Sequence, residues 1–267
     1  MEESVREQKV FILQPTSPPV DTNLIELLAF ADACRRSSAV KITAIVPYFG
    51  YARSDKRQRK RQAIMASLAA NLIEAAGIDH LITFDLHAPQ IEGFFHIPVD
   101  NLTAVDVLLS ALKNSLPTDT VVVSPDSGRI PMAMEFARGL NTSVAVLHKQ
   151  RDSGRETHIT HVIGEVKDKP CLIIDDMIST GGTIATTIDA LLEANARPQI
   201  YIAATHGLLI ENAEDNLNHR SIQNIFVTDT IDVKQQVKLQ LKTVSIAPLI
   251  AQAIRRMSAG NSFSQLN

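Results

Sequence analysis

Cys171-Leu-Ile-Ile-Asp175-Asp176-Met177-Ile178-Ser179-Thr180-Gly181-Gly182-Thr183, running on through Ile184-Ala-Thr-Thr-Ile188-Asp189, reads as a buried strand, a polar glycine-containing turn and a helix start. An apolar run that ends in two carboxylates places Asp175 and Asp176 at the carboxyl end of a strand, where ligands gather in open α/β sheets. Ser179, Thr180, Gly181, Gly182 and Thr183 then offer backbone N–H groups and hydroxyls at a helix N-terminus, an arrangement that favours a phosphate dianion. The acids and the amides need different tasks. A sugar phosphate supplies them, with hydroxyls or a metal for the carboxylates and the phosphate for the amides. The competing reading is an ordinary strand-to-helix turn capped by Ser179 or Thr180. It leaves two adjacent acids on an apolar strand with a desolvation cost and no compensating ligand.

Outward from this stretch the chain alternates between strands and helices, which predicts mainly parallel sheets with helices on their faces. Val10–Leu13 is a short apolar run, followed by a turn-rich Gln14–Pro19 and a helical pattern through Leu24, Leu27, Leu28, Ala31 and Cys34. Ile42–Val46 is the second strand. It runs into Pro47-Tyr48-Phe49-Gly50-Tyr51-Ala52-Arg53-Ser54-Asp55 and the basic run Lys56-Arg57-Gln58-Arg59-Lys60-Arg61. That run reads equally as a loop closing over a polyphosphate or as the charged first turns of the helix through Met65, Leu68, Leu72 and Ile73.

Leu81-Ile-Thr-Phe-Asp85-Leu86-His87 is a strand ending in a polar pair; if the strand persists, Asp85 and His87 share a face. A lone histidine is more often a satisfied structural residue, but one at a strand's carboxyl end, with carboxylates on other strand ends, is a better ligand candidate. Gln90–Phe95 follows as a loop whose aromatic pair serves packing. The pattern restarts near Asp100–Thr103 with a helix through Val105, Leu108, Leu109 and Leu112, so the domain boundary is placed there: 1–101 and 102–243, with a closing helix at about 244–258 packing back on the first domain. Val121–Ser124 leads to Pro125-Asp126, and Val144–Leu147 leads to His148-Lys149-Gln150-Arg151, where alternate positions Lys149 and Arg151 read either as facing one site in an extended segment or as an ordinary solvated strand end. Asp152–Arg155 reads as a mobile loop that delivers charge on closing. Strands at Ile200–Ala204 and Ile225–Thr230 and a helix reaching Met257 complete the chain, and the last residues are expected to be disordered.

At 267 residues there is length for one large or two smaller units with ample core. A net charge of -3 argues against a general nucleic-acid partner. Cys34 and Cys171 do not suggest a disulfide scaffold and fit a reducing compartment. No segment is apolar for long enough to span a bilayer and the N-terminal residues are too acidic for a signal peptide, so the expectation is a cytoplasmic protein without a membrane partner.

Asp175–Thr183 resembles the ribose 5-phosphate loop of the type I phosphoribosyltransferase fold. Taken with Pro47–Arg53, the basic loop, Asp85-Leu-His87-Ala, Gln90–Phe95, Ser124-Pro-Asp126, Lys149-Gln-Arg151 and Ile246-Ala-Pro-Leu249, the whole chain resembles the ribose-phosphate pyrophosphokinase family. The resemblance implies two phosphoribosyltransferase-like α/β domains, the first shortened at its N-terminus, in a homo-oligomer built on dimers, a hexamer among the options. It implies transfer of the diphosphate of ATP to the C1 hydroxyl of ribose 5-phosphate with Mg2+, releasing AMP. By motif match, Arg53, Ser54, Lys56, Arg57, Arg59 and His87 fall at ATP positions. His87 and Asp126 fall at magnesium-associated positions. Lys149 and Arg151 would neutralise the developing charge, and Arg151, Asp175, Asp176 and Ser179 to Thr183 would hold ribose 5-phosphate.

Departures from the family pattern are concentrated in a few places. A strand-helix-strand segment with a Phe-Ser-Asp-Gly-Glu loop usually precedes Glu2-Glu-Ser-Val-Arg6, which leaves either a misassigned start or a shortened protein with an altered nucleotide site. Ser54 stands for a usual glutamine, Lys56 for arginine and Ser179 for a common aspartate. Ser127-Gly128-Arg129-Ile-Pro131-Met132 replaces a glycine pair and a later arginine. Two further readings therefore stand beside an active synthetase: a nonenzymatic regulatory paralogue associating with a full-length synthetase, and a base-specific phosphoribosyltransferase.

Overall fold

The computed structural model describes residues 3–57, 59–151, 157–233, 239–263 and 266, and for 149–151 and 157–160 the backbone alone. The expected loop at Asp152–Arg155 and the terminal residues 264, 265 and 267 lie outside the described residues. The chain divides into two compact units, Met1–Thr103 with Ala247–Asn267, and Ala104–Ile246.

The first unit runs β1 (Lys9–Leu13), α1 (Val20–Arg36), β2 (Lys41–Val46), α2 (Met65–Ala75), β3 (His80–Phe84), β4 (Val99–Leu102) and, from the end of the chain, α7 (Ala247–Ser258). Its four strands lie side by side in chain order, and every pairing is parallel. Leu24, Leu27, Ala31 and Cys34 of α1 and Ile42, Ala44 and Val46 of β2 share one core. Thr43 Oγ1 lies 3.5 Å from Met257 Sδ, and Ile250 and Ala253 of α7 are buried.

The helix after the basic run begins only at Met65, so the described residues of that run lie outside it. Its inner face is also not the one with the largest residues. Ala66, Ala69, Ala70 and Ile73 are buried, whereas Leu68 and Leu72 are exposed. The three alanines and Ile73 enter the core shared with β2 and β3, and the two leucines fall about a third of a turn away.

Asp85 also departs from expectation. It has φ of +38°, so the strand ends at Phe84 and the alternation that would align Asp85 with His87 is broken. Gln90–Phe95 is mostly a 3-10 turn, Pro89–Phe94, and Phe95 packs edge-on against Phe49 at 6.0 Å between centroids.

The second unit contains α3 (Val105–Leu112), β5 (Val121–Ser124), α4 (Ile130–Leu140), β6 (Val144–Arg151), β7 (Thr157–Ile163), β8 (Cys171–Ile178), α5 (Gly182–Glu193), β9 (Ile200–Gly207), α6 (Ala213–Leu217), β10 (Ile222–Thr228) and β11 (Leu241–Val244). The sheet order is β11-β10-β9-β8-β5-β6-β7, parallel except for β6 against β7. Strand alternation sorts the two faces. Val121, Val123, Ile173, Ile202 and Val227 meet Ile184, Ile188 and Leu191 of α5. Val122, Leu172, Ile174, Ala203 and Phe226 meet Leu108 and Leu112 of α3 and Phe136 of α4. The order reverses between β5 and β8, which makes the carboxyl ends of those two strands the switch point at which open sheets bind ligands.

Candidate active site

β8 reaches further than the sequence pattern suggests. Its ladder with β9 continues through Asp175↔Ala204 and Met177↔His206 to Ile178↔Gly207, whereas its ladder with β5 stops at Val123↔Ile173. Asp175 and Asp176 thus lie within the strand, beyond the end of its shorter neighbour. By alternation Asp175 follows Cys171 and Ile173 toward the α5 face, and Asp176 follows Leu172 and Ile174 toward the α3 and α4 face.

The turn after β8 is held from behind. The Ile178 carbonyl accepts from the N–H groups of Leu208 and Leu209 at 2.9 and 3.1 Å, and the Ser179 carbonyl from Ile210 N–H at 3.1 Å. Asn216 Nδ2 donates to the Thr180 carbonyl at 2.7 Å, and Ala185 N–H to the Gly181 carbonyl at 2.9 Å. In planar trans peptides, carbonyls so engaged aim the N–H groups of Thr180, Gly181 and Gly182 the opposite way. Gly181 is the N-cap of α5 and makes no side-chain capping bond. The N-cap role considered for Ser179 or Thr180 therefore falls to a residue without a hydroxyl. What remains is a helix start whose amides are aligned along the helix dipole, an arrangement able to receive an anion.

Gly181 has φ of +76°, and a Cβ there would meet Leu217 Cγ at 2.9 Å. Gly181→Ala is expected to lower stability by roughly 1–3 kcal/mol, combining left-handed strain with overpacking. An unchanged urea midpoint would show that the turn relaxes freely.

At the end of β5, Ser124 Oγ donates to the Asp126 carbonyl at 2.7 Å, and Gly128 N–H donates to Asp126 Oδ1 at 2.9 Å. These bonds shape a short 3-10 turn, Ser127–Arg129, that leads directly into α4. The turn delivers Arg129 to β8. Its Nε lies 3.0 Å from Asp175 Oδ1 and its NH2 group 2.9 Å from Asp176 Oδ1, with all three side chains largely buried. Asp176 N–H also donates to Asp175 Oδ1 at 2.9 Å. Burial drives the Asp175 carboxyl well above the usual carboxylate range and the neighbouring Asp176 adds to this, while the Arg129 guanidinium pulls it back.

Residues 1–77 match the family described as the N-terminal domain of ribose phosphate pyrophosphokinase, and residues 152–267 match the phosphoribosyl synthetase-associated domain. Ribose-phosphate pyrophosphokinase A of Dictyostelium discoideum is 43% identical over 267 residues, covering 99% of this chain and 84% of its own length. Ribose-phosphate pyrophosphokinase of Caldanaerobacter subterraneus subsp. tengcongensis is 43% identical over 266 residues with the same two coverages, 99% and 84%. The crystal structure of phosphoribosylpyrophosphate synthetase from Mycobacterium smegmatis superposes with a TM-score of 0.89 at 40% identity, over 98% of this chain and 86% of that one. The chain belongs to the ribose-phosphate pyrophosphokinase family.

As a pyrophosphokinase it is a transferase, and its α/β architecture is of the phosphoribosyltransferase type. Within this pyrophosphokinase the second unit brings together the acid pair and residues 179–183 along one strand and turn, with Asp126 on the neighbouring strand end. Lys149 and Arg151 fall on β6, next to β5, and their side chains lie outside the described residues.

Arg53, Ser54, Lys56, Arg57, Arg59 and His87 belong to the first unit. Arg53 is exposed on a 3-10 turn, Ala52–Ser54, behind the buried Tyr48 and Phe49. The backbone there is fixed by Gly50, where a Cβ would meet the Thr16 carbonyl at 2.2 Å. Ser54 Oγ accepts from Met65 N–H at 3.4 Å and so helps start α2, a structural task the motif match did not suggest. Lys56, Arg57 and Arg59 are exposed, and His87 is half-buried.

Arg129 is the member of the site that sequence reasoning missed. It had registered only as a departure from a glycine pair. The available signal was indirect: adjacent acids on opposite faces of an apolar strand require a counter-charge that reaches both.

Both cysteines are free and buried, and burial pushes the Cys171 thiol up to about 12, which removes it as a nucleophile. No helix among the described residues is long and apolar enough to cross a membrane.

Proposed function

We propose that the chain transfers the diphosphate of ATP to the C1 hydroxyl of ribose 5-phosphate, giving 5-phosphoribose 1-diphosphate and AMP for nucleotide biosynthesis. The C1 oxygen forms a bond to the β-phosphorus, the bond from that phosphorus to the α–β bridging oxygen breaks, and the hydroxyl proton is lost. The observation that carries this reading is the acid pair of β8 beside the amide-lined turn, at the point where the strand order reverses. Residues 179–183 grip the 5-phosphate, and Asp175 and Asp176 accept the ribose hydroxyls.

Lys149 and Arg151, on β6, supply positive charge to the transferring group, where preorganised electrostatics is the main source of acceleration. Arg53, Lys56, Arg57, Arg59 and His87 receive ATP, and Ser54 holds the turn that presents Arg53. The carboxylate of Asp126, oriented by Gly128 N–H, suits a hard cation such as Mg2+ in the second unit, and His87 is a separate candidate magnesium position in the first. When bound, Mg2+ would supply charge neutralisation to the phosphates. The active form is a dimer-based homo-oligomer in the cytoplasm, and each unit serves as one phosphoribosyltransferase-like domain.

AMP is expected to form from ATP only when ribose 5-phosphate and Mg2+ are both present, measured by chromatography of the nucleotide products. AMP release without the sugar phosphate would overturn the reading. One observation favours a second one: Arg129 already occupies the acids, as it would in a regulatory subunit that no longer turns over. That reading expects no AMP and co-purification with a second, longer subunit.

A further inference from the structure

The Asp175/Asp176 pair presents an electrostatic problem that substrate alone does not solve. Two carboxylates within reach of each other on a buried strand repel, and the 5-phosphate must bind a few residues away at 179–183. Arg129 answers from an unexpected direction. Because β5 ends at Ser124, the edge of β8 beyond Ile173 is open to the 3-10 turn that follows β5, and that turn presents the guanidinium to both faces of β8 at once. Its Nε meets Asp175 Oδ1 at 3.0 Å and its NH2 nitrogen meets Asp176 Oδ1 at 2.9 Å. A planar fork suits this bridging, whereas an ammonium is a single point charge. Asp176 N–H fixes the same oxygen of Asp175 at 2.9 Å. The acids are thereby held in a fixed orientation, with the guanidinium offsetting their negative charge.

We propose that Arg129 is a positioning and specificity residue of the sugar-phosphate site: it holds Asp175 and Asp176 as an oriented hydroxyl-accepting pair and thereby makes the enzyme select a ribose over a deoxyribose 5-phosphate. The inference rests on the ribose 5-phosphate reading given above. A site that accepts a hydroxyl from fixed acids rejects the analogue lacking it, and it discriminates less once those acids can swing or share a proton.

The test uses the full chain and its Arg129→Gln and Arg129→Lys variants, with ribose 5-phosphate and 2-deoxyribose 5-phosphate as ligands. Binding is followed by calorimetry and, where turnover occurs, by kcat and KM. Arg129→Gln should weaken ribose 5-phosphate by about tenfold or more, the scale of one charged hydrogen bond. Most of the kinetic loss should fall in KM, and the ribose-to-deoxyribose preference should drop by a similar factor. Arg129→Lys restores the charge without the fork, so it should recover part of the affinity and little of the preference. If the Gln variant does not fold, the Lys variant alone decides, since wild-type preference in it overturns the proposal. Wild-type affinity and preference in the Gln variant would overturn it too, leaving the ribose reading intact. Failure of the parent chain and of Asp175→Asn to differ, neither binding ribose 5-phosphate, would overturn the ribose reading itself.

Discussion

Lys149→Ala is expected to cut kcat by about two to three orders of magnitude, close to 3–4 kcal/mol of barrier, the effect of removing one preorganised donor from a developing anion. Transfer of a diphosphate moves negative charge through several phosphate oxygens with little covalent work for the protein. The reaction therefore depends on cations placed beforehand. Lys149 is delivered by β6, whose backbone is paired on both sides, in parallel to β5 at Val122↔Val144 and antiparallel to β7 at Lys149↔Ile159. Those ladders are made by main-chain groups and survive the substitution. The far-UV spectrum and urea midpoint should match the parent, and KM for ribose 5-phosphate should change far less than kcat. Steady-state kinetics of AMP formation decides the matter, and parental kcat would remove Lys149 from the transfer step.

Asp176→Ala is the largest stability effect anticipated, roughly 3–5 kcal/mol, because it leaves half of a buried ion pair without its partner. Asp176 is only 2% exposed at its side chain and Arg129 only 15%. Water cannot readily take the place of the lost carboxylate. Asp175 still offers Oδ1 to Arg129, which places the outcome toward the lower end of the range. Removing Arg129 together with Asp176 should be less damaging than the sum of the two single changes, since the second change deletes the orphaned charge left by the first. Urea unfolding of the two single variants and the double variant gives the coupling directly. Simple additivity would mean that the two groups do not stabilise one another.

How much of this was legible in the sequence depends on how local the signal is. The strand, turn and helix around Asp175 and Gly181 were readable because apolar run, acids, hydroxyls and glycines are consecutive. The fold class followed from strand-helix alternation, itself a local pattern. Elsewhere the deciding interaction was distant. Leu68 and Leu72 mark a helix correctly but not its inner face, because which side is buried is set by what the helix packs against, and here Ala66, Ala69 and Ala70 enter the core. Asp85 and His87 lose their shared face to a single positive φ that their residue types do not announce. β7 escaped notice because Thr157-His-Ile-Thr-His-Val-Ile163 mixes polar and apolar residues in a pattern that becomes a strand only against β6. Arg129 finds its carboxylates across a register between β5 and β8 that no contiguous stretch encodes.

The placement of α7 has a consequence for how the protein is made. Ala247–Asn267 belongs with Met1–Thr103, so the first unit is discontinuous in the chain and its closing helix is synthesised only after the whole of the second unit. Synthesis of Ala104–Ile246 takes roughly 7–30 s at ordinary translation rates, and throughout that time the nascent first unit lacks the helix that carries Ile250 and Ala253. The second unit has all of its strands in one uninterrupted segment and is free to fold while the first still waits. The second unit can therefore complete its fold before the first, and the surface beside Thr43 that Met257 covers stays open until that helix has been made.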